Sequence, residues 1–79
     1  MNRTLTILGG GESGIGAALL GKAKGYTVFV SDFGAVQSNY AKELVDAGIE
    51  FEQNQHSEER ILSSDLIIKS PGIPESAPI

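Results

Sequence analysis

The glycine-rich segment at residues 9–16, Gly-Gly-Gly-Glu-Ser-Gly-Ile-Gly, constrains the fold of this chain more than any other feature. It directly follows the apolar run at residues 5–8, and a stretch with helical character continues after it. This order predicts a strand, a tight turn and a helix whose first amides lack partners inside the helix. Those amides lie at the positive end of the helix dipole, and glycine leaves them uncovered, so they favour a phosphorylated ligand.

Strand-like and helix-like segments alternate along the whole chain. The patterns predict strands over residues 3–8, 27–31, 49–52 and 65–69, and helices over residues 13–24, about 38–47 and 57–62. Ser38 or Asn39 is expected to cap the second helix, and Gly25 and Gly48 are expected to end the first and second helices. Leu19, Leu20, Leu44 and Val45 are expected to face the core. The predicted fold class is α/β, a Rossmann-like three-layer domain with a parallel sheet of four to five strands. The length of 79 residues favours one domain spanning residues 1–79.

Composition excludes several classes of function. Six basic residues are scattered among ten acidic ones, and the net charge of −4 disfavours nucleic-acid binding. With no cysteine and a single histidine, thiol chemistry and Cys-rich or His-rich metal centres are excluded. No apolar run approaches the ~20 residues of a membrane span, and no signal peptide is recognisable. We therefore expect a cytoplasmic protein without membrane partners. The single histidine, His56, lies between the polar residues Gln55 and Ser57, and we interpret it as a solvated loop residue.

Three segments are predicted to meet at the carboxyl edge of the sheet, where parallel sheets bind their ligands. They are the glycine-rich turn and the segments that follow the second and fourth strands. The candidate ligand-binding residues are Gly11, Glu12, Ser13, Gly14, Asp32, Phe33, Gly34, Ser70, Pro71 and Gly72.

These residues admit alternative interpretations. Asp32 stands 18 residues after Gly14, which suits a ribose contact of a dinucleotide fingerprint; alternatively, it is a turn aspartate bonded to its own backbone. Glu12 is expected to point away from an anion, and Ser13 either contacts the ligand or caps the helix. Residues 70–72 either line the pocket or form only a rigid turn. No nucleophile–base pair and no metal-ligand cluster is visible, so we predict no catalytic or metal-binding residue.

Residues 7–18, 28–32 and 67–74 together resemble the N-terminal domain of the Mur ligases of peptidoglycan synthesis, in particular the member that adds D-glutamate. The Ser-Pro-Gly-Ile turn after a strand is the most specific part of this resemblance. It implies a domain that holds the UDP moiety of UDP-N-acetylmuramoyl-L-alanine. By this resemblance, Glu12 and Ser13 would meet the diphosphate or uridine, residues 32–34 would surround the uracil, and residues 70–72 would form the third wall.

The chain departs from the family pattern after the aspartate, where Phe33-Gly34 replaces the common Thr-Arg or Ser-Arg. Phe33 either stacks on the uracil or simply packs. The resemblance also implies that ATP and magnesium bind in a central domain, and that a third domain helps to bind the amino acid. We therefore expect these 79 residues to lack ligase activity and to carry no cofactor. The rival hypotheses are an NAD-binding module of an oxidoreductase and a non-catalytic interaction domain.

Overall fold

A computed structural model describes residues 3–69 of the chain. The strands are β1 (Thr4–Leu8), β2 (Thr27–Ser31), β3 (Glu50–Glu52) and β4 (Leu66–Lys69), and the helices are α1 (Glu12–Ala23), α2 (Ser38–Asp46) and α3 (Glu58–Leu62). All strand pairs are parallel, in the order β3-β2-β1-β4. This arrangement confirms the predicted α/β class. Within residues 3–69, no helix has the length and apolar character needed to cross a bilayer.

The main core lies between the sheet and helices α1 and α2. Alternate residues of β1 and β2 point to this face, because side chains alternate along a strand. Burying each large aliphatic side chain contributes about 1.5–3 kcal/mol, so this layer carries most of the apolar stabilisation. The cluster consists of Leu5, Ile7, Ile15, Ala18, Val28, Val30, Leu44 and Ile49.

The opposite face of the sheet is covered more thinly by α3. Its apolar cluster contains only Leu8, Phe29 and Ile61. The Arg60 guanidinium lies 3.7 Å from the centre of the Phe29 ring, in a cation–π contact. The same guanidinium pairs with the exposed Glu50 carboxylate at 3.1 Å. Polar residues thus supply much of the contact between α3 and the sheet.

The small residues of α1 face the sheet. Leu19 and Leu20 were expected to face the core, and this prediction was wrong. These two side chains are 39% and 58% exposed. The buried positions are Gly14, Ile15, Ala18 and Gly21. A Cβ atom at Gly21 would lie 2.5 Å from Cδ2 of the buried Leu5, so the close approach of helix and sheet requires glycine there.

Helix α2 differs from its prediction at its start and on its buried face. Gln37 occupies the N-cap position, where Ser38 or Asn39 was expected. Leu44 is buried as predicted, but Val45 is 65% exposed and its prediction was wrong. The predicted glycine terminators are confirmed, because Gly25 and Gly48 follow α1 and α2 with φ of 94° and 73°.

Candidate functional site

The turn between β1 and α1 depends on two glycines. Gly9 has a φ of 111°, in the left-handed region that favours glycine. Its amide donates a hydrogen bond of 2.8 Å to the carbonyl oxygen of Ser31. A Cβ atom at Gly14 would overlap the carbonyl oxygen of Gly9. These glycines let α1 begin directly against the carboxyl end of β1.

The first turn of α1 faces open space. Gly11 is the N-cap residue, and no side chain caps the helix. A Cβ atom built on Gly11 would meet no atom within 4 Å, and residues 11–13 are exposed. The amides of Glu12, Ser13 and Gly14 have no acceptor within the helix. Ser13 is the second helical residue, so the hypothesis that it is the N-cap was wrong.

Asp32 ties the end of β2 to the glycine-rich turn. Its Oδ2 accepts a hydrogen bond of 2.7 Å from the Gly10 amide. Its Oδ1 accepts a bond of 2.8 Å from the Gly34 amide, which confirms the interpretation as a turn aspartate. An ionised carboxylate offers about four acceptor positions, so both oxygens can still accept a donor from a ligand. The ribose contact stays a prediction.

The glycine-rich turn and the segment after β2, two of the three segments predicted to form the site, therefore come together at the carboxyl edge of the sheet. Phe33 and Gly34 are exposed there, and Phe33 is 66% exposed. The strand order reverses between β1 and β4, which places the crevice of such a sheet outside the end of β1. Ser70, Pro71 and Gly72 lie outside the described residues, so their part in the site stays a prediction.

A polar network beside this site was not predicted from the sequence. Nδ1 of His56 lies 2.6 Å from the Ser31 hydroxyl, and the His56 ring stacks on Phe33 with centroids 5.4 Å apart. His56 lies in the loop after β3, as predicted, but it is half-buried and contacts Ser31 and Phe33 instead of being simply solvated. Its loop is fixed by the Asn54 amide, which donates to the Gly34 carbonyl oxygen at 2.9 Å.

Glu52 completes this network from β3. Its Oε2 accepts hydrogen bonds from the Ser31 hydroxyl at 2.8 Å and the Ser57 amide at 2.7 Å, and its Oε1 accepts from the Ser57 hydroxyl at 2.6 Å. Burial acts to raise the pKa of Glu52, but the bonds from Ser57 and Ser31 and the nearby His56 outweigh it and lower the pKa. Ser31 and Glu52 are partners in the parallel register of β2 and β3, and the sequence alone does not specify that register.

The described part of the site presents amide donors and a carboxylate, and it offers little for catalysis. Within residues 3–69, no group of three or more His, Cys, Asp or Glu side chains could hold a metal ion. The Ser31 hydroxyl is fully buried and bonded to a carboxylate, so it is not available as a nucleophile. The arrangement suits the recognition of an anionic ligand at the start of α1.

Comparison with protein families gives a match over almost the entire chain. Residues 4–78 match the model described as the MurD N-terminal domain. Three similar proteins are each named UDP-N-acetylmuramoylalanine–D-glutamate ligase. The protein from Cytophaga hutchinsonii is 62% identical over 79 residues, covering 100% of this chain and 18% of that protein. Those from Porphyromonas gingivalis strain W83 and Bacteroides fragilis strain ATCC 25285 are 53% and 49% identical, covering 95% and 98% of this chain and 17% of each protein.

A comparison of structures supports the fold alone. A transhydrogenase from Sinorhizobium meliloti superposes with a TM-score of 0.70 at 21% sequence identity, covering 91% of this chain and 21% of that chain. At this level of identity, the likeness extends to the Rossmann-like arrangement of strands and helices.

Proposed function

We propose, since this chain belongs to the MurD N-terminal domain family, that it binds the UDP moiety of UDP-N-acetylmuramoyl-L-alanine. It would hold this substrate for a ligase that adds D-glutamate with hydrolysis of ATP to ADP. The relatives carry the name of that ligase, and the chain spans 18% of the length of the relative from Cytophaga hutchinsonii. The activity of the whole protein is therefore part of the proposal.

The proposal rests on the uncapped first turn of α1, which lies beside the Asp32 carboxylate. Hydrogen bonds from the Gly10 and Gly34 amides hold that carboxylate in place. The amides of Glu12, Ser13 and Gly14 suit a diphosphate, because they combine free donors with the positive end of the helix dipole. Asp32 holds the adjoining turn through the Gly10 amide, so the donors are ordered before a ligand arrives. Its remaining acceptor capacity suits a ribose hydroxyl.

The rest of the parent enzyme follows from the same family. ATP and magnesium would bind in further domains of the ligase, which would work in the cytoplasm in peptidoglycan synthesis, and so in cell-wall biogenesis, cell shape and cell division. Residues 1–79 would form its single N-terminal substrate-binding domain. The family match favours this function over an NAD-binding oxidoreductase module, because the relatives are named as ligases.

Titration of the chain with three ligands, followed by amide NMR shifts, tests the proposal. The ligands are UDP-N-acetylmuramoyl-L-alanine, UDP and NAD. We expect both UDP ligands to shift the amides of residues 11–14 and 32–34, and NAD to leave them unchanged. A response to NAD alone would favour the oxidoreductase module, and silence with all three ligands would contradict binding by this chain.

A matched pair of variants locates the binding surface. Gly11→Leu and Gly16→Leu both place a bulky side chain where a Cβ atom meets nothing within 4 Å, so both variants should fold. Gly11 lies beside the free amides, whereas Gly16 lies more than one turn further along α1. We expect Gly11→Leu to weaken UDP binding by at least about tenfold, about 1.4 kcal/mol, and Gly16→Leu to have no such effect. Equal binding by both variants would place the ligand elsewhere.

A further inference from the structure

We propose that His56 is a positioning residue, which holds the Phe33 ring as a stacking platform for the base of the bound nucleotide. This inference rests on the proposed function, because it concerns the base of the same ligand. It assigns a role to a histidine that lies outside the three segments predicted to line the site. Three features carry it: the open face of Phe33, the fixed orientation of His56, and the tie between their loops.

The Phe33 ring has one covered face and a large exposed surface. The imidazole of His56 stacks against it, with centroids 5.4 Å apart and an angle of 19° between the rings. Phe33 nevertheless remains 66% exposed. Leaving a large aromatic side chain in water forgoes the stabilisation that burial would provide. A planar nucleobase on the exposed face would bury this surface, and aromatic rings favour stacked partners of that kind.

His56 is itself held by a chain of hydrogen bonds that reaches β3. The hydroxyl of Ser31 has a single proton, and the carboxylate of Glu52, which only accepts, lies 2.8 Å from it. With that proton directed to Glu52, the contact of 2.6 Å between Ser31 Oγ and His56 Nδ1 requires Nδ1–H as the donor. Ser31 is fully buried, so it provides a rigid anchor. The orientation of the imidazole ring is thereby set.

The platform stands next to the proposed diphosphate site. Asp32 precedes Phe33 and is bonded to the Gly10 amide at 2.7 Å. On the other side, the loop that carries His56 is tied to Gly34 through the amide of Asn54 at 2.9 Å. The glycine-rich turn, Phe33 and His56 thus belong to one hydrogen-bonded assembly. Holding Phe33 in place before binding lowers the entropic cost of ordering it.

NMR of UDP in the presence of the chain tests this inference. A base stacked on Phe33 should show an upfield ring-current shift of its H5 and H6 protons, and the change of that shift in a folded His56 variant reports whether His56 positions the ring. Phe33→Leu should abolish the shift and weaken UDP binding about tenfold. His56→Asn keeps an N–H donor for Ser31 and removes the ring, so we expect about threefold weaker binding and a smaller shift.

Val45→Ala serves as the matched control, because Val45 is 65% exposed on α2 and lies outside the candidate site. This substitution should change neither the affinity for UDP nor the ring-current shift. Amide spectra of each variant establish that it is folded. If Phe33→Leu and His56→Asn bind UDP as the unmodified chain does, with the same shifts at residues 11–14, the inference is overturned and the proposed function stands. Loss of binding in Phe33→Leu with an unchanged His56→Asn overturns the role of His56. Failure of the unmodified chain to bind UDP overturns both.

Discussion

Gly14 and Gly16 stand two residues apart in α1, but they have different structural roles. A Cβ atom at Gly14 would overlap the carbonyl oxygen of Gly9, a backbone atom that cannot rotate away. A Cβ atom at Gly16 would meet nothing within 4 Å. Gly14 is therefore required for the approach of α1 to β1, whereas Gly16 only lowers helix propensity.

Alanine at each position should change the free energy of unfolding in opposite directions. Gly14→Ala should lower it by about 2–3 kcal/mol, because the turn or the helix must shift to accept the methyl group. Gly16→Ala should raise it by up to about 1 kcal/mol, because alanine is the better helix former. Urea unfolding followed by circular dichroism measures both. Similar values for the two variants would contradict the close packing at Gly14.

At the scale of the element, α3 is joined to β3 by one carboxylate. Ser57 is the N-cap residue of α3, but its hydroxyl does not cap the helix. The hydroxyl donates instead to Oε1 of Glu52 at 2.6 Å, and the Ser57 amide donates to Oε2 at 2.7 Å. The start of α3 is thus fixed to the sheet by charge-assisted hydrogen bonds, which are stronger than neutral ones.

This connection makes the stability of the chain depend on pH. The pKa of Glu52 is lowered in the folded state, so its ionised form stabilises the fold above the unfolded pKa of about 4.3. That contribution is lost as the pH falls through the lowered pKa of the folded state. Glu52→Gln should therefore reduce the free energy of unfolding at pH 7, by about 1 kcal/mol because solvent screens this half-buried group.

Urea unfolding of the unmodified chain, Glu52→Gln and Glu59→Gln at pH 7 and pH 3 tests this dependence. Glu59 is an exposed residue of the same helix, so its replacement should have little effect at either pH. The difference between the unmodified chain and Glu52→Gln should shrink at pH 3. A difference of the same size at both values would show that the charge of Glu52 does not contribute.

At the scale of the whole molecule, the strand order places the candidate site. Strand β1 lies between β2 and β4, and the order changes direction at this point. The helices before and after the reversal cover opposite faces, so a crevice opens beyond the end of β1. The glycine-rich turn and Asp32 meet in this crevice. The topology therefore brings the candidate binding groups together. The sequence contains no ATP-binding Gly-x-x-x-x-Gly-Lys-Ser/Thr motif.

The purified chain is accordingly expected to bind substrate without turning it over. With ATP, magnesium, D-glutamate and UDP-N-acetylmuramoyl-L-alanine present, it should release no phosphate above the level of a reaction without protein. A full-length ligase of the same family serves as the positive control. Phosphate release by the chain that requires both D-glutamate and the UDP substrate would contradict this expectation.

The sequence by itself determined the features that depend on neighbouring residues. The alternation of strands and helices, the glycine-rich turn and the glycines that end α1 and α2 were all predicted, because propensity and backbone conformation are local properties. The parallel arrangement followed from the order of the elements. It also brought the turn and Asp32 to one edge of the sheet.

Only the tertiary structure decided how side chains separated along the chain share space. Leu19 and Leu20 lie outward because α1 approaches the sheet through glycine and alanine, a packing distance that the helical pattern does not specify. The contact between Ser31 and His56 joins residues 25 positions apart. It depends on the path of the loop after β3, which is fixed by hydrogen bonds to the loop after β2. Such contacts arise from the folded arrangement of several elements, so no local pattern predicts them.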